Sequence, residues 1–481
     1  MFRRLASAFG LTASRAGAAR GSAAPLPVAR IPAGMLRGSQ EAGTVRWLGI
    51  PYAAAPTGDL RWRAPRPPPP WQGLRDATRF APDCMQAPVA ADAAPIRTVP
   101  SEDCLYLNIW RPAAAGMDLP VIVWIHGGAF LTGGSSAAIH DGAALAGRGA
   151  VFVSLNYRLG RFGTFLHPAL SRAEAPSGNF GLLDQIAALR WIREHIRAFG
   201  GDPGNVTLIG ESAGGASVHY LMAAPGANGL FHRAAILSGM TGLRPGTATR
   251  PEMEAVGAAF ARRHGIAGEG PEALAALRAL PAEAVCGGLN WMTAADEAGQ
   301  SWAGPWVDGR DLADPGPGAW APIPVMIGAT DDDLGGRTGY MIAGARRAAD
   351  RLADAGHPVW SYRFAYLPES VAAAGAAGAG HASDVPFFLG TAARDPLIPA
   401  GPRDRAMAAA IGAHLFRFAQ TGDPNGPGLP DWPRHRPGGD ALMSFGRDGR
   451  GAAGPDPWAA EIDAAPPPRN PDPLGDLRGA G

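Results

Sequence analysis

The sequence predicts an α/β fold in which a mostly parallel central sheet carries helices on both faces. Two patterns indicate this fold. Short runs of β-branched and other apolar residues recur along the chain, each followed by a glycine-rich turn, and longer stretches with apolar residues at helical spacing separate them. This alternation is typical of parallel strands joined by crossover helices.

Five segments give the predicted strands in chain order. They are "PVIVWIHGG" from Pro120, "AVFVSLNYR" from Ala150, "NVTLIGES" from Asn205, "IPVMIGAT" from Ile323 and "VWSYRFAY" from Val359. The clearest helix runs from Leu182 to Phe199, where apolar residues recur at helical spacing, and it ends at Gly200 with Pro203 beyond. We expect this helix to cross over into the strand at Val206.

The composition limits the functions open to the chain. With 481 residues, 46 % of them apolar, and a net charge of +1, it can bury a large core and has no electrostatic reason to bind nucleic acid or an anionic membrane. All 43 basic residues are Arg, which excludes Schiff-base chemistry, a Ser-Lys dyad and a phosphate-loop lysine. No run of about 18 apolar residues is present, so no membrane span is expected.

The ends of the chain differ from its middle. The first 40 residues contain several Arg but no Asp or Glu, which fits a weak export signal, an organelle-type presequence or an unstructured extension. We expect a flexible extension over residues 1–27, a single folded domain over 28–465 and a flexible tail over 466–481.

The segment "GESAGG", Gly210 to Gly215, contains a Gly-x-Ser-x-Gly pattern. In a chain with 67 glycines the pattern alone is weak, because composition can produce it by chance. Its context is more specific, since an apolar strand leads into it and a helix-compatible segment follows. This strand, sharp turn and helix expose a serine Oγ, and Ser212 is therefore the predicted nucleophile.

A serine nucleophile needs a base for its proton and donors for the oxyanion that forms on attack. The segment "WIHGGAF", Trp124 to Phe130, provides a glycine-rich turn directly after a strand. We predict that the N–H groups of Gly128 and Ala129 bind the oxyanion beside the N–H of Ala213.

With these motifs in place, the chain resembles the type-B carboxylesterases, the family that includes cholinesterases and bacterial p-nitrobenzyl esterases, on the α/β-hydrolase fold. The matching segments are "LGIPYAAAPTGDLRW", "SEDCLYLNIW", "WIHGGAF", "GNFGLLDQ", "FGGDPGNVTLIGESAGG", "LFHRAAILSG" and "FAQTGDPN". They occur in order across most of residues 28–433, which is far more specific than a five-residue pattern.

The resemblance implies an ester hydrolase with Ser212 as nucleophile and the histidine of "GHASDVPFF" as base. Four histidines follow the aspartate run Asp331–Asp333, at His357, His381, His414 and His435. Of these, His381 lies in a glycine-rich loop after a strand and matches the family segment. His414 lies on an apolar helical segment and is expected in the core or at an interface.

The triad acid is expected between Ser212 and His381, after a strand. The strand "IPVMIGAT" runs directly into Asp331, Asp332 and Asp333. The resemblance implies an acidic pair here whose second member is catalytic and usually Glu, and alignment on "IG" assigns that position to Asp333, with Asp331 and Asp332 as alternatives.

An aspartate is one methylene shorter than a glutamate, about 1.5 Å, so the loop must come closer or a different aspartate must reach in. Adjacent carboxylates repel, so we expect one of the three to be buried and the others to face water.

The interval from Asp333 to His381 is 48 positions, shorter than is usual in the family. We therefore expect a reduced cap region and a more open active site that accepts bulky esters.

Three cysteines exclude a disulfide-rich scaffold. Cys84 and Cys104 either form a bridge or remain thiols, and Cys286 is left over. The resemblance implies that the first two pair, as in the family's first disulfide loop. A bridge would favour a secreted or periplasmic protein, and its absence a cytoplasmic one.

This chemistry requires no metal ion and no organic cofactor, and its expected partner is a small-molecule ester. Two other functions are compatible with the sequence: a cholinesterase-like binding protein whose triad is altered, and an acyltransferase that uses the same triad. The substrate ester and the oligomeric state do not follow from the sequence.

Overall fold

An eleven-stranded mixed sheet is at the centre of the computed structural model, which describes residues 26–89, 92–114, 116–239, 248–297, 300–313, 322–395 and 398–466. The strands are β1 (Val28–Ile31), β2 (Gly34–Arg37), β3 (Ser39–Glu41), β4 (Thr44–Pro51), β5 (Leu74–Asp76), β6 (Tyr106–Pro112), β7 (Leu119–Ile125), β8 (Val151–Leu155), β9 (Gly201–Glu211), β10 (Arg233–Leu237), β11 (Val325–Thr330), β12 (Val359–Phe364), β13 (Ala441–Phe445) and β14 (Gly451–Pro455).

The α-helices lie between and after these strands. They are α1 (Ala143–Gly147), α2 (Gly160–Gly163), α3 (Pro168–Glu174), α4 (Phe180–His195), α5 (Ala213–Leu221), α6 (Arg250–Arg263), α7 (Pro271–Ala279), α8 (Ala282–Cys286), α9 (Ala294–Glu297), α10 (Ile342–Asp354), α11 (Glu369–Ala373), α12 (Val385–Phe388), α13 (Pro402–Thr421) and α14 (Ala459–Ala464).

The strand order in the large sheet is β3-β4-β6-β8-β7-β9-β10-β11-β12-β13-β14. Neighbours from β8 to β13 pair in parallel, and the pairs at both ends are antiparallel. A separate sheet of the described residues contains β1, β2 and β5. The mostly parallel order requires helical crossovers, and it brings the carboxyl ends of β7, β9 and β11 to the same edge.

Both faces of the sheet are buried. Alternate residues of β7 enter opposite cores, because Val121 and Val123 belong to one apolar cluster and Ile122 and Trp124 to another. Helix α4 covers the first face and α13 the second. This explains why the central strands are continuous apolar runs.

The predicted crossover helix is observed with a different end. Helix α4 stops at His195, and a 3₁₀ turn at Ile196–Phe199 leads to Gly200, whose φ of 84° is the left-handed conformation that glycine favours. The strand that follows begins at Gly201, because Gly201 pairs with Leu119 of β7.

The expected extension (residues 1–27) and tail (466–481) fall almost wholly outside the described residues. Within the described part of the chain, no helix combines the length and the apolar character needed to cross a membrane.

Candidate active site

Ser212 occupies the sharp turn between β9 and α5. Its φ of 54° and ψ of −122° lie in a region that side chains rarely adopt. Neither flanking glycine has room for a Cβ: one on Gly210 would meet the backbone of Gly214, and one on Gly214 would meet the carbonyl oxygen of Ile125. The strained turn therefore requires glycine on both sides of the serine.

His381 lies in the loop between α11 and α12 and contacts the serine. Its Nε2 is 2.9 Å from Ser212 Oγ and its Nδ1 is 2.7 Å from Asp333 Oδ1. The other three candidates lie elsewhere: His357 contacts the backbone of Ile323, His414 is buried against Pro424, and His435 pairs with Asp350.

Asp333 is the member of the aspartate run that reaches the histidine. Its side chain is fully buried. Besides His381, Oδ1 accepts a hydrogen bond from the N–H of Leu334 (2.8 Å), and Oδ2 accepts from Ser238 Oγ (2.6 Å) and from the N–H of Thr330 (3.2 Å). Four donors thus fix both carboxylate oxygens.

The neighbours of Asp333 have different surroundings. Asp332 is exposed, as expected. The expectation that Asp331 faces water is wrong, because its side chain is only 11 % exposed and its Oδ1 accepts a hydrogen bond from the N–H of Ala379 at 2.6 Å.

The charges of the site favour an ionised acid beside a protonatable base. Burial alone would raise the pKa of Asp333, but His381 and the hydrogen bonds from Ser238 and Thr330 hold it below its ordinary value. Burial would lower the pKa of His381, but the negative charge of Asp333, followed by that of Glu211, raises it above its ordinary value.

The glycine-rich turn predicted to bind the oxyanion, Gly127 to Phe130, is called the oxyanion turn. It lies against the turn that carries Ser212, called the serine turn. Three consecutive residues have positive φ, namely Gly128 (101°), Ala129 (57°) and Phe130 (61°). A Cβ on neighbouring Gly127 would lie 3.1 Å from Ser212 Cβ. The turn thus lies beside Ser212, and Ala213 follows the serine at the start of α5.

Comparisons with known proteins identify several similar sequences and structures. A model of the carboxylesterase family matches residues 25–342 and 337–454. The para-nitrobenzyl esterase of Bacillus subtilis (strain 168) is 43 % identical over 310 residues, which span 62 % of this chain and 61 % of that protein. The chain belongs to the carboxylesterase family.

Solved structures extend the likeness to nearly the whole chain. A PNB esterase structure has a TM-score of 0.80 at 31 % identity and covers 91 % of this chain and 99 % of its own. A carboxylesterase of Geobacillus stearothermophilus has a TM-score of 0.76 at 35 % identity, with 91 % and 99 % covered. The predicted α/β-hydrolase fold is confirmed.

Two further groups in this carboxylesterase were given no role from the sequence. Ser238, at the end of β10, donates to Asp333, and Glu211 Oε1 lies 3.2 Å from His381 Nε2. Burial raises the pKa of Glu211 to about 8, and the charge of His381 opposes this shift. Both residues lie in segments that match the family, "LFHRAAILSG" and "GESAGG". This match was the sequence signal that could have identified them.

Cys84 and Cys104 form a disulfide, as the resemblance implied. Next to it, the side-chain amide of Gln86 donates to the carbonyl of Gly133 (2.7 Å) and accepts from its N–H (2.9 Å). The disulfide loop therefore packs against the segment that follows the oxyanion turn. Cys286 is a buried free thiol.

Apolar side chains border the oxyanion turn. Trp302 packs with Leu131 and Leu289 in a small cluster that Ala129 contacts, and Phe130 stacks near Tyr220 with ring centres 6.3 Å apart. Among the described residues, no group of three or more His, Cys, Asp or Glu is arranged to hold a metal ion.

Proposed function

We propose that this carboxylesterase hydrolyses carboxylic esters through an acyl-enzyme, with Ser212, His381 and Asp333 as its catalytic triad. The observation that carries the proposal is the unbroken line of contacts from Ser212 Oγ to His381 Nε2 (2.9 Å) and from His381 Nδ1 to Asp333 Oδ1 (2.7 Å). Both distances are within the range for proton transfer and for orientation of the base.

The reaction follows from these positions. Ser212 Oγ attacks the ester carbonyl while His381 Nε2 takes its proton, and the amides of Gly128, Ala129 and Ala213 stabilise the oxyanion. His381 then protonates the leaving alcohol. In the second half, His381 activates water to release the acid from Ser212.

Asp333 supports this cycle as an anion. Its pKa is held below the ordinary value, so it remains ionised when His381 becomes an imidazolium. Through Nδ1 it keeps the Nε2 atom directed at the serine and stabilises the positive charge on the ring.

The test is loss of turnover on removal of the nucleophile. Ser212→Ala should lower the kcat for p-nitrophenyl butyrate by at least about 10³-fold and should abolish covalent labelling by a fluorophosphonate. Turnover near the wild-type rate in this variant would contradict the proposal. Analysis of the products in the presence of an added alcohol distinguishes hydrolysis from acyl transfer.

A second Ser-His-Asp contact provides a matched control. Ser361 Oγ lies 3.2 Å from His435 Nδ1, and His435 Nε2 lies 2.9 Å from Asp350 Oδ1. Ser361 belongs to β12, away from the serine turn and the oxyanion turn. Ser361→Ala should therefore retain labelling and turnover.

The substrates we propose are small-molecule esters with bulky acyl or alcohol groups. Between Asp333 and His381 the chain forms only α10, β12 and α11 as regular elements, and the His381 side chain remains 21 % exposed. A panel of p-nitrophenyl esters and p-nitrobenzyl esters of increasing size tests this. A sharp loss of kcat/KM beyond short acyl chains would contradict it.

We place the protein in an oxidising compartment, secreted or periplasmic. The disulfide between Cys84 and Cys104 supports this location, because such bridges are rare where thiols are kept reduced. Fractionation of producing cells should recover the enzyme outside the cytoplasm, and a cytoplasmic enzyme with reduced thiols would contradict the assignment.

A further inference from the structure

Asp331 and Arg447 connect two loops. The acid loop follows β11 and carries Asp331 to Asp333, and the histidine loop lies between α11 and α12 and carries His381. Asp331 Oδ1 accepts a 2.6 Å hydrogen bond from the N–H of Ala379, two residues before the histidine. Arg447, from the turn between β13 and β14, donates to Asp331 Oδ2 at 3.4 Å and to the carbonyl of Ala377. One carboxylate and one guanidinium therefore bind both loops.

The backbones of the two loops are also in direct contact. The N–H of Asp332 donates to the carbonyl of Ala379 at 3.0 Å, and Asp332 pairs with Gly380 as a parallel bridge. A Cβ on Gly378 would lie 2.5 Å from Asp332 Cβ and 3.0 Å from Asp331 Oδ1. The loops can approach this closely only because residue 378 is glycine.

The proposed triad has a specific need for such a connection. Asp333 is one methylene, about 1.5 Å, shorter than the glutamate usual in the family, yet its Oδ1 lies 2.7 Å from His381 Nδ1. The shorter side chain therefore requires the backbones that carry Asp333 and His381 to lie close together, and these two loops do pair directly. Contacts of Asp331, of the Asp332 backbone and of Arg447 hold the histidine loop beside the acid loop.

We infer that Asp331, with Arg447, is a positioning residue that holds His381 within reach of the short acid Asp333. Asp331 touches neither the serine nor the histidine ring among the described contacts, and it acts through Ala379. The inference rests on the proposed function, since it concerns the base of that triad.

The decisive comparison is Asp331→Ala against Asp331→Asn. The asparagine retains an oxygen that accepts from Ala379, whereas alanine removes it. One hydrogen bond corresponds to about a tenfold effect, so we expect Asp331→Ala to lower kcat about tenfold with little change in KM, and Asp331→Asn to retain most of kcat. Rates are expressed per site titrated with a fluorophosphonate.

A second readout separates positioning from a purely structural role. The contact with Asp333 raises the pKa of His381. A looser loop weakens this contact and lowers that pKa, so the acid limb of kcat/KM should move to lower pH in Asp331→Ala. Arg447→Met should show the same shift with a smaller loss, about two- to fivefold for an exposed pair, and should add nothing to Asp331→Ala. Arg450→Met, in the same turn, is the matched control.

The outcomes are distinguishable. If the wild-type protein has no esterase activity, the proposed function fails. If the wild type is active and Asp331→Ala has an unchanged kcat and acid limb, whatever its melting temperature, the inference is overturned. If Asp331→Ala does not fold, Arg447→Met decides, because an unchanged acid limb in that variant also overturns it.

Discussion

Replacement of Asp333 by the longer glutamate tests whether the acid loop is built for a short side chain. Although glutamate is the usual acid in this family, we expect Asp333→Glu to lower activity. The Asp333 side chain is fully buried and already lies 2.7 Å from His381 Nδ1. An extra methylene extends it by about 1.5 Å, so the buried carboxylate must displace the groups that now contact it.

The magnitude follows from the contacts that would be displaced. Four donors surround the carboxylate, from His381, Ser238, Thr330 and Leu334. The histidine loop cannot retreat without breaking the 3.0 Å bond between the N–H of Asp332 and Ala379. Overpacking a tight site costs about 1–3 kcal/mol, which corresponds to about a 5- to 150-fold loss if it falls on the transition state.

The assay is hydrolysis of p-nitrophenyl butyrate at the pH plateau, together with thermal unfolding of the same samples. Asp332→Glu makes the same chemical change at an exposed neighbour and should leave both kcat and the melting temperature unchanged. A kcat for Asp333→Glu equal to or above that of the wild type, with unchanged stability, would refute the reasoning.

Three other predictions concern the groups around the triad and the disulfide. Ser238→Ala removes a hydrogen bond to a buried carboxylate, worth about 1.5–3 kcal/mol, so kcat should fall by about tenfold or more in steady-state kinetics; an unchanged kcat would deny Ser238 a role. Because the pKa of His381 is raised, the base is neutral only above that pKa, so kcat/KM should rise with pH along a limb above the ordinary histidine value of about 6.5. Asp333→Asn should move this limb to lower pH and lower the plateau by roughly 10⁴-fold. If the limb does not move, Asp333 is not the acid that contacts the catalytic base. Replacement of Cys84 and Cys104 by serine should lower the free energy of unfolding by about 3 kcal/mol, measured in urea; a change under about 1 kcal/mol would show that the bridge adds little.

The sequence predicted the parts of the site that are determined locally. Ser212 could be proposed as the nucleophile because a strand, a sharp turn and a helix lie within one short segment, and the two glycines of that turn have no room for a side chain. The oxyanion turn follows β7 in the same way. The parallel strands and the crossover helix were also predicted, because both faces of the sheet are buried and the apolar pattern reflects this burial.

The sequence could not predict contacts that depend on the distance between loops. It left three aspartates open as the acid, and of these Asp333 lies 2.7 Å from His381 Nδ1. It gave no role to Ser238, which is 95 positions from Asp333. It was wrong about Asp331, since repulsion between neighbouring carboxylates suggested exposure, whereas Ala379 and Arg447 stabilise this carboxylate at a partly buried position.

The short acid and the short interval between acid and base have a common physical explanation. The chain leaves β11 at the aspartate run, returns through α10 to β12, and reaches His381 after 48 positions. Because β12 lies directly beside β11, the histidine loop starts next to the acid loop and can pair with it at Asp332 and Gly380.

Backbone pairing fixes the separation of the two loops more strictly than side-chain contacts would. At that separation the aspartate spans the gap to the imidazole, whereas a glutamate would require the loops to stand further apart. Side-chain length and loop separation are therefore matched, and a change in either one alone should cost activity.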